Sequence, residues 1–182
     1  LAQLVLSGEY PNVYIDNVYF YKSGGGTGGP TAPTSTAPLP QYPPANVISI
    51  FSDSYTNVAA NLNPNWGQST KVTEINIQNN KVLRYETLNY QGIEFGAAQN
   101  VSGMQFLHLD YSTANSTELK IFLISPGPVE TPFTLTVPTS GWNSLDIPLT
   151  AFASVKLDDV FQIKVEGNGT IFLGGPPLVK AA

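Results

Sequence analysis

Beyond residue 47 apolar and polar positions alternate with a period of two, the spacing that sends successive side chains to opposite faces of a strand. FQIKVEG (161–167) is the cleanest run: Phe161, Ile163 and Val165 are predicted to face a core, with Gln162, Lys164 and Glu166 on the other face. VTEINIQ sets Val72, Ile75 and Ile77 apart from Glu74 and Gln78, and PFTLTV sets Phe133, Leu135 and Val137 against Thr134 and Thr136. LKIFLIS (119–125) is apolar on both sides, as expected of a central strand under two layers. Turn signals separate these runs and no stretch carries a long helical period. About seven to nine strands in roughly 130 residues predict an all-β protein, an antiparallel β-sandwich of the jelly-roll type.

The same pattern appears in an unexpected place. VYIDNVYFYK (13–22) reads as a buried strand, yet it is followed at once by SGGGTGGPTAPTSTAPLPQYPP. Residues 23–46 hold hardly an aliphatic side chain and cannot bury enough surface to fold by themselves, so they read as a linker, flexible where Gly dominates and stiffer where Pro does. An internal comparison accounts for the order. LAQLVLSGEYPNVYID (1–16) lies over VFQIKVEGNGTIFLG (160–174), with Gln3 matching Gln162, Gly8 matching Gly167 and Val13-Tyr14-Ile15 matching Ile171-Phe172-Leu173. Residues 1–22 therefore read as a second copy of the last hairpin of the module spanning 47–182. After the match the first copy continues as a strand, whereas the second runs into GGPPLVKAA, where proline cannot donate to a ladder. The sequence thus predicts a module lacking its last strand. Either residues 1–22 are the tail of a preceding similar module, or residues 13–22 fill the empty slot, within their own chain or in a strand-swapped homodimer. A linker of this length reaches on the order of 25 Å, enough to return across a small domain.

Composition narrows the chemistry. The 182 residues are 42% hydrophobic and only 12% charged, which suits a soluble globular protein and not a membrane span. A net charge of −5 with eight scattered Lys and Arg offers no basic track for nucleic acid. With no Cys there is neither a disulfide framework nor a thiolate metal site. Glycoside hydrolysis needs two carboxylates facing across a cleft, and nothing in the spacing of the thirteen acids selects a pair. The single His, His108, alternates outward with Asp110, and no Ser sits in a nucleophile elbow. GGGTGG (24–29) lacks the strand-to-helix context of a phosphate loop. No catalytic residue is assigned.

The aromatics point elsewhere. Trp66 in NLNPNWGQST and Tyr90 in LNYQGIEF lie among amide side chains, a combination suited to sugars: rings stack on the apolar C–H face of a pyranose while amides satisfy its hydroxyls. Trp66, Tyr90 and Gln91 are the main candidates for contact, and Tyr55, Arg84 and Asn89 follow. The alternative for Trp66 is that it closes one end of the core. Trp142, ahead of Leu145, Ile147 and Leu149, reads as core.

Three stretches, FSDSYTNV, LNYQGIEFGAAQNVSGMQFLHLDYST and GWNSLDIPLTAF, together resemble β-jelly-roll carbohydrate-binding modules of the galactose-binding-like type, above all those appended to laminarinases, other glucanases and polysaccharide lyases of marine bacteria. The resemblance covers residues 47–173 and, through IDNVYFYK, the first segment. It implies a non-catalytic module of a secreted or cell-surface bacterial enzyme, a glycoside hydrolase or polysaccharide lyase. The partner it implies is a polysaccharide, a neutral β-glucan or related algal glycan. Similar modules often hold a structural calcium where first and last strands meet. The matching positions are Asp53 and the aspartate after the penultimate strand, which is Asp16 in the first copy and is replaced by Gly174 in the second. The alternative for Asp53 is a turn cap. A different reading of the whole is a structural or adhesion spacer that joins like modules by strand exchange and binds no glycan.

Overall fold

The computed structural model describes residues 31–113, 115–138, 140–175 and 177–179. The strands among them are β1 (Val47–Ser49), β2 (Ala60–Asn61), β3 (Lys71–Ile77), β4 (Asn80–Glu86), β5 (Tyr90–Gln99) and β6 (Phe106–Thr113), then β7 (Leu119–Ser125), β8 (Val129–Leu135), β9 (Asn143–Pro148), β10 (Val160–Gly167), β11 (Ile171–Gly175) and β12 (Pro177–Val179). They form two antiparallel sheets. One has five strands in the order β2-β5-β10-β7-β8; the other has seven, β1-β12-β6-β11-β4-β3, with β9 also paired to β6.

The main core lies between the sheets. Ile93, Ile121, Leu123, Ile163 and Val165 enter it from the five-stranded sheet, and Leu83, Tyr85, Leu107, Leu109, Ile171 and Leu173 from the seven-stranded one. Each strand contributes alternate residues, and each large side chain so buried stabilises the fold by about 1.5–3 kcal/mol before entropy is counted. Phe133, Leu135 and Val137 join the core as their alternation predicts, and β7 is buried at every position except Lys120.

Two patterns shift. The ladder between β10 and β5 is irregular between Val160 and Gln162, which puts Val160 in the core where the alternation predicts Phe161. On β3, Val72 packs against the main core, while Ile75 and Ile77 turn to the outer face of the seven-stranded sheet and meet Val82 and Phe172 in a second cluster.

That second cluster is covered by residues the sequence assigns to the linker. From Thr31 to Pro44 the chain runs across the outer face of the seven-stranded sheet as an irregular strap. Ala37 is 3% exposed, and a Cβ added at Gly174 would stand 2.3 Å from the Ala37 Cβ, so only a glycine lets the strap lie this close. Trp142 Nε1 donates to Ser35 O at 2.8 Å, Gln78 Nε2 to Thr34 O at 2.9 Å, and Tyr42 Oη to Asp146 Oδ2 at 2.6 Å. Trp142, predicted as core, thus packs beside the second cluster beneath the strap. The segment makes no fold of its own; it borrows the sheet.

The prediction of a missing last strand is corrected too. Past Leu173 the ladder with β6 is irregular, Gly175 takes φ +153°, and the chain returns to the sheet as β12. Its register pairs Leu178 with Leu107 and Val179 with Phe106 on one side, and Val47 with Val179 on the other. Pro177 stands first in the strand, a position that tolerates a residue without an N–H. The chain's own residues 177–179 therefore lie between β6 and β1. Residues 13–22, which the sequence offers as a completing strand, lie outside the described residues.

Candidate functional site

Among the described residues no strap crosses the outer face of the five-stranded sheet. Register places its outward side chains in three rows across β5, β10, β7 and β8: Glu94, Gln162, Ile124 and Glu130; Gly92, Lys164, Phe122 and Pro132; Tyr90, Glu166, Lys120 and Thr134. The middle row begins with a glycine, and that absence of a side chain organises the site. A Cβ added at Gly92 would stand 2.3 Å from Cη2 and Cζ3 of Trp66. The indole lies directly on bare backbone.

Trp66 reaches this place from the loop between β2 and β3, and three hydrogen bonds hold it. Its Nε1 donates to Glu94 Oε1 at 2.6 Å; its backbone N–H donates to Gln68 Oε1 at 2.7 Å; its carbonyl accepts the Tyr90 hydroxyl at 2.7 Å. Gln68 in turn donates to Pro64 O at 2.6 Å, closing the loop. The ring belongs to neither apolar cluster. Trp66 and Tyr90 form one wall of a groove of about 320 Å³, with Pro128 and Glu130 opposite and Ile124 and Gln162 among its lining. The volume lies at the small end of ligand sites, and rings and aliphatic carbon set beside carboxylate and amide groups are what a sugar ring with equatorial hydroxyls fits.

Lys164 occupies the centre of the sheet. Its Nζ lies 2.8 Å from both Glu130 carboxylate oxygens, 2.9 Å from Glu166 Oε1 and 4.0 Å from the centroid of the Phe122 ring. Burial alone would lower the pKa of this ammonium, but hydrogen bonds and charge from Glu130 and Glu166 outweigh it and hold the pKa above the usual lysine value.

The other candidates are dispersed. Gln91 is 0% exposed: it follows Tyr90 on β5 and so points inward, where its Oε1 accepts from Gln68 Nε2 at 3.1 Å and its Nε2 donates to Gly92 O at 2.9 Å. It supports the loop under Trp66 and meets no solvent. Asn89 accepts from Ser69 N at 3.0 Å and Thr70 Oγ1 at 3.1 Å, tying the start of β5 to the same loop. Tyr55 donates to the strap at Tyr42 O over 2.7 Å. Arg84 stands on the outer face of the seven-stranded sheet, 3.2 Å from Glu86. Neither Tyr55 nor Arg84 reaches the groove.

Asp53 Oδ2 accepts the Lys81 backbone N–H at 2.6 Å, and Lys81 Nζ lies 3.3 Å from Glu74 Oε1, so Asp53 and Glu74 already have partners. No three His, Asp or Glu side chains gather into a metal-binding group among the described residues. The calcium that the sequence resemblance implies needs six to eight oxygens, and Asp16, the second position the resemblance offers for it, lies outside the described residues.

What sequence reasoning missed is the strand-borne half of the groove. The polar face of FQIKVEG reads as solvent-facing, yet β10 is the middle strand of its sheet and Gln162, Lys164 and Glu166 line the site. Gly92 in a strand interior is the available signal, because such a glycine marks close approach of another group.

No protein-family model matches the chain, and no curated protein matches it. Solved structures share the fold. The family 11 carbohydrate-binding module of Clostridium thermocellum, solved with a β-1,3-1,4-mixed-linked tetrasaccharide, superposes with a TM-score of 0.54 at 13% identity over 75% of this chain and 96% of that one. The family 30 carbohydrate-binding module of a cellulosomal cellulase of Clostridium thermocellum gives 0.51 at 13% identity over 74% and 97%. An agarase gives 0.52 at 11% identity over 75% of this chain and 25% of its own. The fold is the β-sandwich seen in carbohydrate-binding modules; at these identities the likeness is one of architecture.

Proposed function

We propose that the chain is a non-catalytic carbohydrate-binding module that takes a neutral β-glucan or a related glycan in the groove on its five-stranded sheet. The observation that carries this reading is the indole of Trp66 laid on Gly92 and fixed by Glu94, beside a groove lined by carboxylate and amide oxygens. A pinned ring loses little freedom when a pyranose stacks on it, and the oxygens accept from sugar hydroxyls. The shared architecture supports the reading, since one of the similar modules was solved with a mixed-linked tetrasaccharide. In a longer protein such a module is an accessory to a secreted polysaccharide-degrading enzyme, keeping it on its substrate.

Titration calorimetry with mixed-linkage β-glucan and laminarin tests it. The expected affinity is micromolar to millimolar, roughly 4–8 kcal/mol, and Trp66→Ala lowers it by about 2–3 kcal/mol. A well-folded chain that binds neither glucan overturns the reading.

A further inference from the structure

Charge in the groove is ordered by depth. The Lys164 side chain is 12% exposed, while the carboxylates above it, Glu130 and Glu166, are 40% and 36% exposed. Three carboxylate oxygens lie within 2.9 Å of the ammonium, Glu130 Oε1 as a hydrogen-bond acceptor and Glu130 Oε2 and Glu166 Oε1 as ion-pair partners, and Phe122 closes its underside. A ligand in the groove therefore meets carboxylates and not the cation they enclose.

The remaining donors are used as well. Trp66 Nε1 donates to Glu94, the Tyr90 hydroxyl donates to Trp66 O, and Gln162 Nε2 donates to Glu94 Oε1 at 3.3 Å. Among the described residues the groove presents acceptors and almost no free donor. Hydroxyls, which donate, suit such a surface; carboxylates and sulfates, which only accept and carry negative charge, do not.

We propose that Glu130 and Glu166 are specificity-determining residues that cap Lys164, so that the groove takes neutral, hydroxyl-rich glycans and rejects acidic ones. This rests on the groove being the glycan site. Uncapping the lysine should convert a rejecting surface into an anion-binding one, because a hydrogen bond from an ammonium to a carboxylate becomes available to the ligand.

The test uses the intact chain and calorimetry at low ionic strength with polygalacturonate and mixed-linkage β-glucan as probes. The unaltered protein is expected to bind the glucan and not the polygalacturonate. E130Q/E166Q should gain polygalacturonate binding by at least about ten-fold, the gain should weaken with added salt, and K164M in the same background should remove it. Two results overturn the proposal: a folded E130Q/E166Q with no gain, or an unaltered chain that binds polygalacturonate as tightly as glucan in a Trp66-dependent way. If the double variant loses its cooperative melt, E130Q and E166Q are measured singly, where a smaller gain in either supports the cap and none in both overturns it. Failure of the unaltered chain to bind glucan overturns the reading of the groove instead; the gain or its absence in the variants still decides the cap.

Discussion

The two outer faces of the sandwich use the same alternation for opposite ends. On the seven-stranded sheet the outward residues Ile75, Ile77, Val82 and Phe172 are apolar, and residues 31–44 cover them. On the five-stranded sheet half of the outward residues, Glu94, Gln162, Glu130, Lys164, Glu166 and Lys120, are charged or amide side chains, and one indole lies across a glycine. Covering a face removes apolar area from water and adds stability; leaving one open with a fixed ring gives up that area and leaves a surface for a ligand. One face holds the molecule together and the other is left to bind.

On that division, substitutions on the two faces separate stability from binding. Phe172→Ala should cost about 3–5 kcal/mol of unfolding free energy in denaturant melts while leaving glucan affinity unchanged; loss of affinity without loss of stability would erase the distinction. Trp66→Ala should do the reverse, with affinity falling by about 2–3 kcal/mol, the scale of an interface hot spot, and stability by no more than about 1 kcal/mol. Gly92→Ala sharpens the comparison, because the added methyl must lift the indole while every groove residue is kept. A penalty of about 1–3 kcal/mol, read as weaker glucan binding and altered tryptophan emission, is expected.

The smallest effect concerns the strap. His108 Nδ1 lies 2.7 Å from Asp146 Oδ1 and Nε2 3.3 Å from Asp110 Oδ2, with the Tyr42 ring packed edge-on against the imidazole. Burial alone would lower the histidine pKa, but the two aspartates outweigh it and raise it. Because the folded value exceeds the unfolded one of about 6.5, the bridge stabilises fully below that pH and its contribution is lost as the pH rises through the folded pKa. The melting temperature should decline over that interval by the equivalent of about 1 kcal/mol, and His108→Gln should flatten the decline. As the chain has a single His, its imidazole proton resonances report the titration directly.

Strand identity and facing are legible wherever a run alternates cleanly, as at Phe133, Leu135 and Val137, because period-two patterning is local. The irregularity that exchanges Phe161 for Val160 is not, since it depends on pairing with β5. Trp66 and Tyr90 stand out as rings among amides, but Gln91 is misplaced when read together with its neighbour: on a strand, adjacent residues face opposite ways. The strap is illegible for a different reason. Its contacts, Ala37 on Gly174 and Ser35 on Trp142, join residues more than a hundred positions apart, and composition alone describes only what a segment does without a partner.

The docked strap also sets the direction in which the described chain approaches the module. The described chain begins at Thr31 on the outer face of the seven-stranded sheet, beside Ser112 and Gly141, while the groove opens on the opposite sheet. The strap and the groove are on opposite sides. A glycan settling into the groove meets no competition from residues 31–44, and a pull on Thr31 is transmitted through Ala37, Tyr42 and the seven-stranded sheet before it reaches the bound sugar.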